Sequence, residues 1–241
     1  MQIIRGDDYQ SWVYSNEGDL VVVDPWLTKK QVFPGLNWLL HRSASDESYL
    51  IKNNLVNQVT HIIITAHFSD HLDLDSLNLF RKDIEIFTTH EASKALIKNG
   101  FKNITVVQIN KSYELGSLRL TIYQAGKPYH TTTFAYSLED GKSKLFHESH
   151  MFNMNTKIEE VDACIMTVDR VKVFGLVQVS MDLEQAKSAQ STLKAKYFIS
   201  TGIAPSRTKG LISYILSVKE SYLQTELLSS VCREAGDSLS I

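Results

Sequence analysis

A β-branched run that ends in a cluster of polar residues constrains this chain more than any other feature. Residues 62–64 are all isoleucine, as in a buried strand. His67, Asp70 and His71 follow closely, and each can donate a lone pair to a borderline metal such as zinc. Loops that leave such strands often carry chemistry, because the strand fixes the position of the loop. The segment therefore predicts an α/β protein with a functional loop at this point.

The loop resembles the Thr-His-x-His-x-Asp-His motif of the metallo-β-lactamase superfamily. Asp70 and His71 match the Asp-His pair of that motif. The two preceding histidines fall at Ala66 and Phe68, and His67 lies between them, out of register. The resemblance implies a diverged subgroup with an incomplete motif, which has lost the histidines of the first zinc site. Asp70 is the candidate catalytic residue, although an aspartate here can also be an ordinary helix cap.

A second motif supports the resemblance. Two strand-like segments flank a predicted turn at residues 16–19, and the second segment ends in Asp24-Pro25-Trp26-Leu27. Members of the superfamily very often have Asp-Pro-Trp-Leu at this place, with the aspartate supporting the metal loop. The resemblance therefore implies that Asp24 lies under residues 66–71 and accepts hydrogen bonds from the loop backbone or from a ligand histidine.

Further candidate ligands lie in the second half of the chain. Side chains at Glu148 and His150 share one face of a strand, while His147 points the other way. They flank Ser149, which aligns with the metal-bridging aspartate of the superfamily, but they could also form a charged loop at a strand end. His130 precedes a Tyr-bearing strand where members often carry a metal histidine, and it is equally well a solvated loop residue.

These donors imply a single metal site of the kind with two histidines and one carboxylate. Such a site suits zinc, iron or manganese. We expect at most one ion per chain, or none, because Ala66 and Phe68 offer no lone pair. The candidate ligands are Asp70, His71, His150, Glu148 and His130. His67 remains open, either as a ligand or as a loop histidine bonded to the backbone.

The alternation of strand-like and helix-like segments predicts α/β layering. The resemblance specifies a four-layer αββα sandwich, formed by a single domain over residues 1–241. Helices are predicted at residues 91–99, 182–193 and 211–228, with Gly100 ending the first and Asp182 capping the second. Residues 29–54 are predicted to form a loop or short helix whose aromatics wall a pocket or pack as a local patch. The polar tail after Glu234 is expected to fray.

Composition narrows the functional classes. The 241 residues are 43% hydrophobic and 22% charged, as in ordinary globular proteins, and the net charge is −2. No nucleic-acid or membrane partner is expected from that charge, and no apolar run approaches the ~20 residues of a spanning helix. Without a secretory signal, and with Cys164 and Cys232 too far apart for a Cys-x-x-Cys motif, the chain is expected to be cytoplasmic.

Two functions remain open. The first is a metal-dependent hydrolase with a mononuclear site, acting on an unknown ester, amide, lactone or phosphoester. The second is a catalytically inactive relative that binds a small molecule or a protein partner through the old cleft. The chain has no Gly-x-Ser-x-Gly and no glycine-rich nucleotide loop, which argues against serine hydrolases and nucleotide-binding proteins. A metal assay discriminates between the two hypotheses.

Overall fold

The computed structural model describes residues 1–33, 36–222 and 232–241, which form eighteen strands and four helices. The strands are β1 (Gln2–Arg5), β2 (Trp12–Asn16), β3 (Asp19–Val23), β4 (Lys30–Phe33), β5 (Leu40–Ser43), β6 (His61–Ile64), β7 (Glu85–Thr88), β8 (Asn103–Val106), β9 (Ser112–Leu115), β10 (Leu118–Gln124), β11 (Phe134–Glu139), β12 (Lys144–Glu148), β13 (Ala163–Met166), β14 (Arg170–Val173), β15 (Val177–Gln178), β16 (Tyr197–Ser200), β17 (Leu216–Lys219) and β18 (Ser238–Ser240). The helices are α1 (Tyr49–Lys52), α2 (Leu74–Leu77), α3 (His90–Lys98) and α4 (Leu183–Leu193).

Two large mixed sheets organise the molecule. The first has seven strands in the order β18-β1-β2-β3-β6-β7-β8, antiparallel as far as β3 and parallel from β3 to β8. The second has six in the order β16-β13-β12-β11-β10-β9, parallel from β16 to β12 and antiparallel beyond. A three-stranded sheet, β15-β14-β17, and the β4–β5 hairpin lie beside them.

The strand alternation separates the core into layers. Val21 and Val23 belong to the cluster shared by the two sheets, whereas Val22 belongs to the cluster on the outer face of the first sheet. Ile63 and Ile62 divide in the same way. Successive side chains of a strand point to opposite faces, so these buried strands need apolar residues at every position.

Helices cover both outer faces. Ala92 and Leu96 of α3 pack on the outer face of the first sheet. Ala186, Ala189 and Leu193 of α4 pack on the outer face of the second. The fold is therefore the four-layer αββα sandwich, as predicted.

Two predicted helices are confirmed with their ends. Helix α4 begins after Asp182, whose carboxylate accepts from the backbone N–H of Gln185 at 3.0 Å, while the Gln185 side chain accepts in return from the Asp182 N–H. This reciprocal pair satisfies two N–H groups that a helix start leaves free. Helix α3 ends at Lys98, and Gly100 adopts a φ of +85°, a conformation that favours glycine at a helix end.

Three predictions of local structure are wrong. Residues 29–54 form β4, β5 and the short α1. The predicted helix at 211–228 is instead a 3₁₀ turn, Leu211–Ile215, followed by β17, and residues 223–228 lie outside the described residues. The tail does not fray, because β18 pairs with the edge of β1. Strands β17 and β18 each pair with a strand that is distant in sequence, which local sequence does not report, whereas β4 and β5 pair with each other as a hairpin.

Candidate metal centre and pocket

The candidate site lies where strand ends from both sheets meet. Asp24 directly follows β3 and Thr65 directly follows β6, and these strands are parallel neighbours. Glu148 is the last residue of β12 in the other sheet. An isolated antiparallel bridge between Ala66 and Thr133 connects the loop after β6 to the second half of the chain.

Asp24 supports the loop that carries His71. Its carboxylate accepts the backbone N–H of Thr65 at 2.8 Å and the Thr65 hydroxyl at 2.6 Å. The same carboxylate also contacts Nδ1 of His71, at 2.7 Å. The predicted contact between Asp24 and a loop histidine is therefore present. Because Nδ1 is held by Asp24, Nε2 is the nitrogen of His71 that faces the site.

His71 and His150 meet through their outer nitrogens. The two Nε2 atoms are 3.2 Å apart. Two nitrogens bound at about 2.0–2.1 Å to one tetrahedral zinc ion would be about 3.3–3.4 Å apart. The nearest carboxylate oxygen is Asp70 Oδ2, 3.8 Å from His71 Nε2, on a side chain that is 29% exposed. Burial disfavours the charged form of His71, but the Asp24 and Asp70 carboxylates outweigh it and raise the pKa of His71 to about 9.

Glu148 lies on the other side of His150. Its Oε1 accepts the backbone N–H of His150 at 2.9 Å and lies 3.9 Å from Nδ1 of that ring. Oε2 is buried and has no hydrogen-bond partner among the described residues. Burial raises the pKa of Glu148 to about 8. The carboxyl group therefore contacts the Nδ1 edge of His150, whereas His71 faces Nε2.

The remaining two histidines of the prediction lie apart from this pair. Within the part of the chain that the structure describes, no hydrogen bond or ion pair joins His130 to the cluster, and the His130 Nδ1 atom is buried without a partner. His67 stacks on Phe68, with ring centres 4.5 Å apart, at the wall of the pocket.

The candidate donor atoms are of types that bind a metal ion, but they do not form a complete set of ligands around one point. Among residues 1–33, 36–222 and 232–241, no three His, Cys, Asp or Glu side chains are arranged to hold a metal ion. Two imidazole nitrogens, His71 Nε2 and His150 Nε2, are at the separation that one ion requires. Asp70 is the nearest further donor. The described residues therefore bring two imidazole nitrogens together without a complete preformed group of donors.

Sequence reasoning missed the aromatic wall around the two histidines. The ring of Tyr129 stacks on His150 with centres 4.1 Å apart. Phe68 approaches both histidines edge-on, with ring centres 6.5 Å from His71 and 6.3 Å from His150. The position of Phe68 in the motif was a signal for this contact, and the candidate ligand His130 marked the segment that carries Tyr129, although not Tyr129 itself.

His147 points away from the site, as predicted, and ties the two sheets together. Its Nδ1 lies 3.0 Å from the Tyr14 hydroxyl and 2.6 Å from the Tyr136 hydroxyl. Its Nε2 lies 3.1 Å from Ser149 Oγ. Burial lowers the pKa of His147 to about 3, so the ring is neutral at physiological pH.

A cavity of about 570 Å³ opens beside the histidine pair. Asp70 and His150 lie at its polar end, and Phe33 and Leu40 of the β4–β5 hairpin line its wall. Val171 and Leu216 of the three-stranded sheet also line it. The aromatic residue Phe33 therefore walls a pocket, one of the two roles considered for that segment. The volume is that of a site for a small organic molecule.

A buried arginine fixes the hairpin to the opposite wall. Arg42 of β5 is fully buried and donates to the carbonyl oxygens of Ala204 at 2.7 Å and Ile203 at 3.1 Å. Its guanidinium group also lies over the ring of Tyr9, 4.3 Å from the ring centre. The wall opposite the hairpin is thus held by hydrogen bonds to a permanent charge.

Several solved structures share this architecture. A possible metal-dependent hydrolase from Veillonella parvula DSM 2008 superposes with a TM-score of 0.72 at 14% identity, covering 100% of this chain and 99% of that one. An isothiocyanate hydrolase from Delia radicum gut bacteria gives 0.70 at 13% identity, again over 100% and 99%. A novel metallo hydrolase from Ignicoccus hospitalis KIN4/I gives 0.65 at 14% identity, over 99% and 98%.

Sequence comparison adds the family. No curated protein matches the chain by sequence. The family model described as a beta-lactamase superfamily domain matches residues 7–202, which include β2 to β16 and both halves of the histidine pair. The solved structures share the fold at low identity, and the family match covers most of the chain. This protein therefore belongs to the metallo-β-lactamase superfamily.

Proposed function

We propose that this protein is a metal-dependent hydrolase with a reduced, mononuclear site. One zinc, iron or manganese ion would be held by His71 and His150, with Asp70 as the third donor. The observation that carries the proposal is the pair of Nε2 atoms 3.2 Å apart, one of them backed by the Asp24 carboxylate. The names of the superposed structures are consistent with the proposal. They are a possible metal-dependent hydrolase, a metallo hydrolase and an isothiocyanate hydrolase.

The positions that hold other donors in intact members support a reduced site. Ala66 is fully buried and joined to Thr133, so it offers only a methyl group. Phe68 presents a ring in place of an imidazole. Ser200 and Thr201 stand where members of the superfamily end a strand with a metal histidine. The Thr201 hydroxyl accepts the Trp12 indole N–H at 2.9 Å and is buried. These residues leave a first metal site without donors, which favours one ion at most.

The mechanism assigns a distinct task to each residue of the chain. When bound, the ion would lower the pKa of a water molecule and polarise the bond to be cleaved. Asp24 holds the His71 ring and its Nδ1 proton in one orientation. Asp70 lies at the polar end of the cavity, where its carboxylate can accept a proton from an attacking water. The apolar wall excludes other water and holds the organic part of an ester, amide, lactone or phosphoester substrate.

Metal content per chain tests the proposal directly. Wild type and variants are loaded with equal zinc, desalted and examined by elemental analysis. We expect at most one weakly held ion in wild type, a loss in His150→Ala, and a ten- to hundred-fold weaker affinity in Asp24→Asn, roughly the effect of losing a partner behind a ligand histidine. Phe68→His should raise the zinc content, because it adds a nitrogen beside both histidines. A matching change at Ala66 is unsuitable, since that position is fully buried.

The exposed His90 provides the control, because His90→Ala removes an imidazole that lies outside the site. Two tightly held ions in wild type would contradict the proposal and make His67 a ligand. Unchanged zinc content in His150→Ala would also contradict it.

A second candidate is a catalytically inactive member that binds a small molecule or a partner through the cleft. It is favoured by the 570 Å³ cavity together with the lack of a preformed three-donor group among the described residues. The same experiment separates the two functions. No zinc in wild type and none gained by Phe68→His would favour the inactive binding protein.

A further inference from the structure

Large apolar side chains are exposed on the segments that also line the cavity. Their exposed fractions are 87% for Tyr214, 83% for Leu176, 69% for Phe174 and 62% for Trp38. Leu36 and Leu211 are also exposed, and we call these six residues the rim patch. Contiguous apolar surface of this kind commonly marks a site of interaction.

The backbone holds the rim patch together. The N–H of Phe174 donates to the carbonyl of Ile215 at 2.8 Å, and the N–H of Leu211 donates to the carbonyl of Trp38 at 3.0 Å. The three segments that carry the patch also provide cavity-lining residues such as Leu40, Val171 and Leu216. The patch is therefore one surface, and it adjoins the opening of the cavity.

The same segments are rich in positive charge. Residues 36–43, 170–179 and 205–219 contain Lys and Arg but no Asp or Glu, although Asp169 and Glu220 flank two of these ranges and the whole chain has a net charge of −2. The cations at Arg170, Lys172, Lys209 and Lys219 make no ion pair with any described residue. No membrane partner was expected from the sequence because the net charge of the chain is −2. Net charge does not reveal that these segments carry positive charge only.

The charges also oppose one another across two strands. Arg170 of β14 lies directly opposite Lys219 of β17. Lys172 shares their face, because alternate residues of a strand point the same way, while Val171 lines the cavity. Like charges directly opposite each other destabilise a sheet. An anionic partner on the outer face would remove that repulsion.

A second cavity, of about 380 Å³, lies in these segments. Its lining residues are His41, Ser43, Ser45, Arg207 and Lys209. Arg207 pairs with Asp8 at 2.7 Å and the Ser45 hydroxyl donates to the same carboxylate at 2.6 Å, which leaves Lys209 and the Ser43 hydroxyl as donors for phosphate oxygens. The cavity could accept the headgroup of a phospholipid.

We propose that the rim patch docks on the surface of an anionic lipid bilayer, which is an inference independent of the proposed hydrolase activity. Exposed aromatic and aliphatic residues flanked by unpaired Lys and Arg are the features of proteins that lie in the bilayer interface. Docking is peripheral, since no helix among the described residues is long and apolar enough to cross a membrane. A second copy of this chain is a poorer occupant, because a two-fold interface would bring the cationic face against itself.

Vesicle binding of the full chain tests the proposal. The probes are vesicles of phosphatidylcholine alone and of phosphatidylcholine with about 30 mol% phosphatidylserine. We expect co-sedimentation with the anionic vesicles only, and its loss at about 0.5 M salt, where charges are screened. Tryptophan emission provides a second readout. Trp12 and Trp26 are buried and Trp38 is exposed, so a blue shift reports insertion of Trp38 and should be absent in Trp38→Phe.

Variants locate the surface. Neutralising two cations in Lys172→Gln with Lys219→Gln should lower partitioning to anionic vesicles roughly twenty-five-fold, about fivefold for each charge. Phe174→Ser with Leu176→Ser should abolish it. These side chains are exposed or lie on an outer strand face, so the fold is retained. The matched control is Ile97→Ser with Lys98→Gln, an exposed apolar residue and an exposed cation on α3, which should bind as wild type does.

Three outcomes would overturn the proposal. The first is the absence of vesicle binding by wild type. The second is binding that the control variant weakens as much as the rim variants do. The third is a blue shift that depends on protein concentration without vesicles and is accompanied by a dimer in sedimentation velocity, which would assign the patch to a second copy of the chain.

Discussion

At the scale of single residues, a buried acid sets part of the pH dependence of stability. Asp7 accepts the backbone N–H groups of Tyr9 at 2.8 Å and Ser11 at 2.9 Å, and so supports the turn beside Asp24. Burial raises the pKa of Asp7 to about 6, although these N–H groups and the Arg5 guanidinium act in the opposite direction. The folded state therefore holds the proton more tightly than the unfolded chain does.

The sign of the effect follows from this difference. Stability from protonated Asp7 is fully present below about pH 4 and is lost as the pH rises through about 6. Asp7→Asn removes this titration, so the free energy of unfolding of the variant relative to wild type should rise by about 2 kcal/mol between pH 4 and pH 7. Urea denaturation of both proteins across that range measures it, with the exposed Asp75→Asn as control. If the difference in unfolding free energy between wild type and Asp7→Asn does not vary with pH, the raised pKa of Asp7 is contradicted.

Sequence alone located part of the site at this scale. Asp24, Asp70 and His71 were found because they lie within short segments that have a recognisable order. Arg42 was not, because its local sequence resembles an ordinary strand, and Tyr129 was not, because the sequence marked its neighbour His130 instead. His147 was correctly directed away from the site by strand alternation, but its partners Tyr14 and Tyr136 come from two different sheets.

At the scale of elements, two like charges face each other across strands β14 and β17. Arg170 and Lys219 repel across the strands. Lys219→Glu should replace that repulsion with an attraction and raise the free energy of unfolding by up to about 1 kcal/mol, while it weakens binding to anionic vesicles. Denaturation without lipid and co-sedimentation with lipid measure the two effects. Lys98→Glu on α3 is the control, and a stabilised variant that still binds vesicles as wild type does would contradict a role for β17 in docking.

Elements with strong local signals were predicted well, and the others were not. Helix α4 has an apolar spacing and a capping residue within its own sequence, so its bounds were predicted closely. Strand β17 has Leu216 and Val218 on one face, a pattern too short to be distinguished from a helix without knowledge of β14. Strand β18 exists because β1 offers it an edge, and that edge is 233 or more residues away in sequence.

At the scale of the whole molecule, the two sheets share one core. Trp12, Tyr14 and Ile63 of the first sheet pack in the same cluster as Leu120 and Ile165 of the second. We therefore predict a single cooperative unfolding transition for residues 1–241, with calorimetric and van't Hoff enthalpies in agreement and with coincident far-UV circular dichroism and fluorescence curves. Two separated transitions would contradict the prediction of one domain.

The buried Arg42 also decides how molecules reach the cavity. Moving the β4–β5 hairpin outward would strip its guanidinium group of the Ile203 and Ala204 carbonyls and leave a buried cation unsatisfied, which is strongly unfavourable. The hairpin is consequently a fixed wall and not a flap. Any molecule that enters the cavity must therefore fit past a wall that does not yield to it.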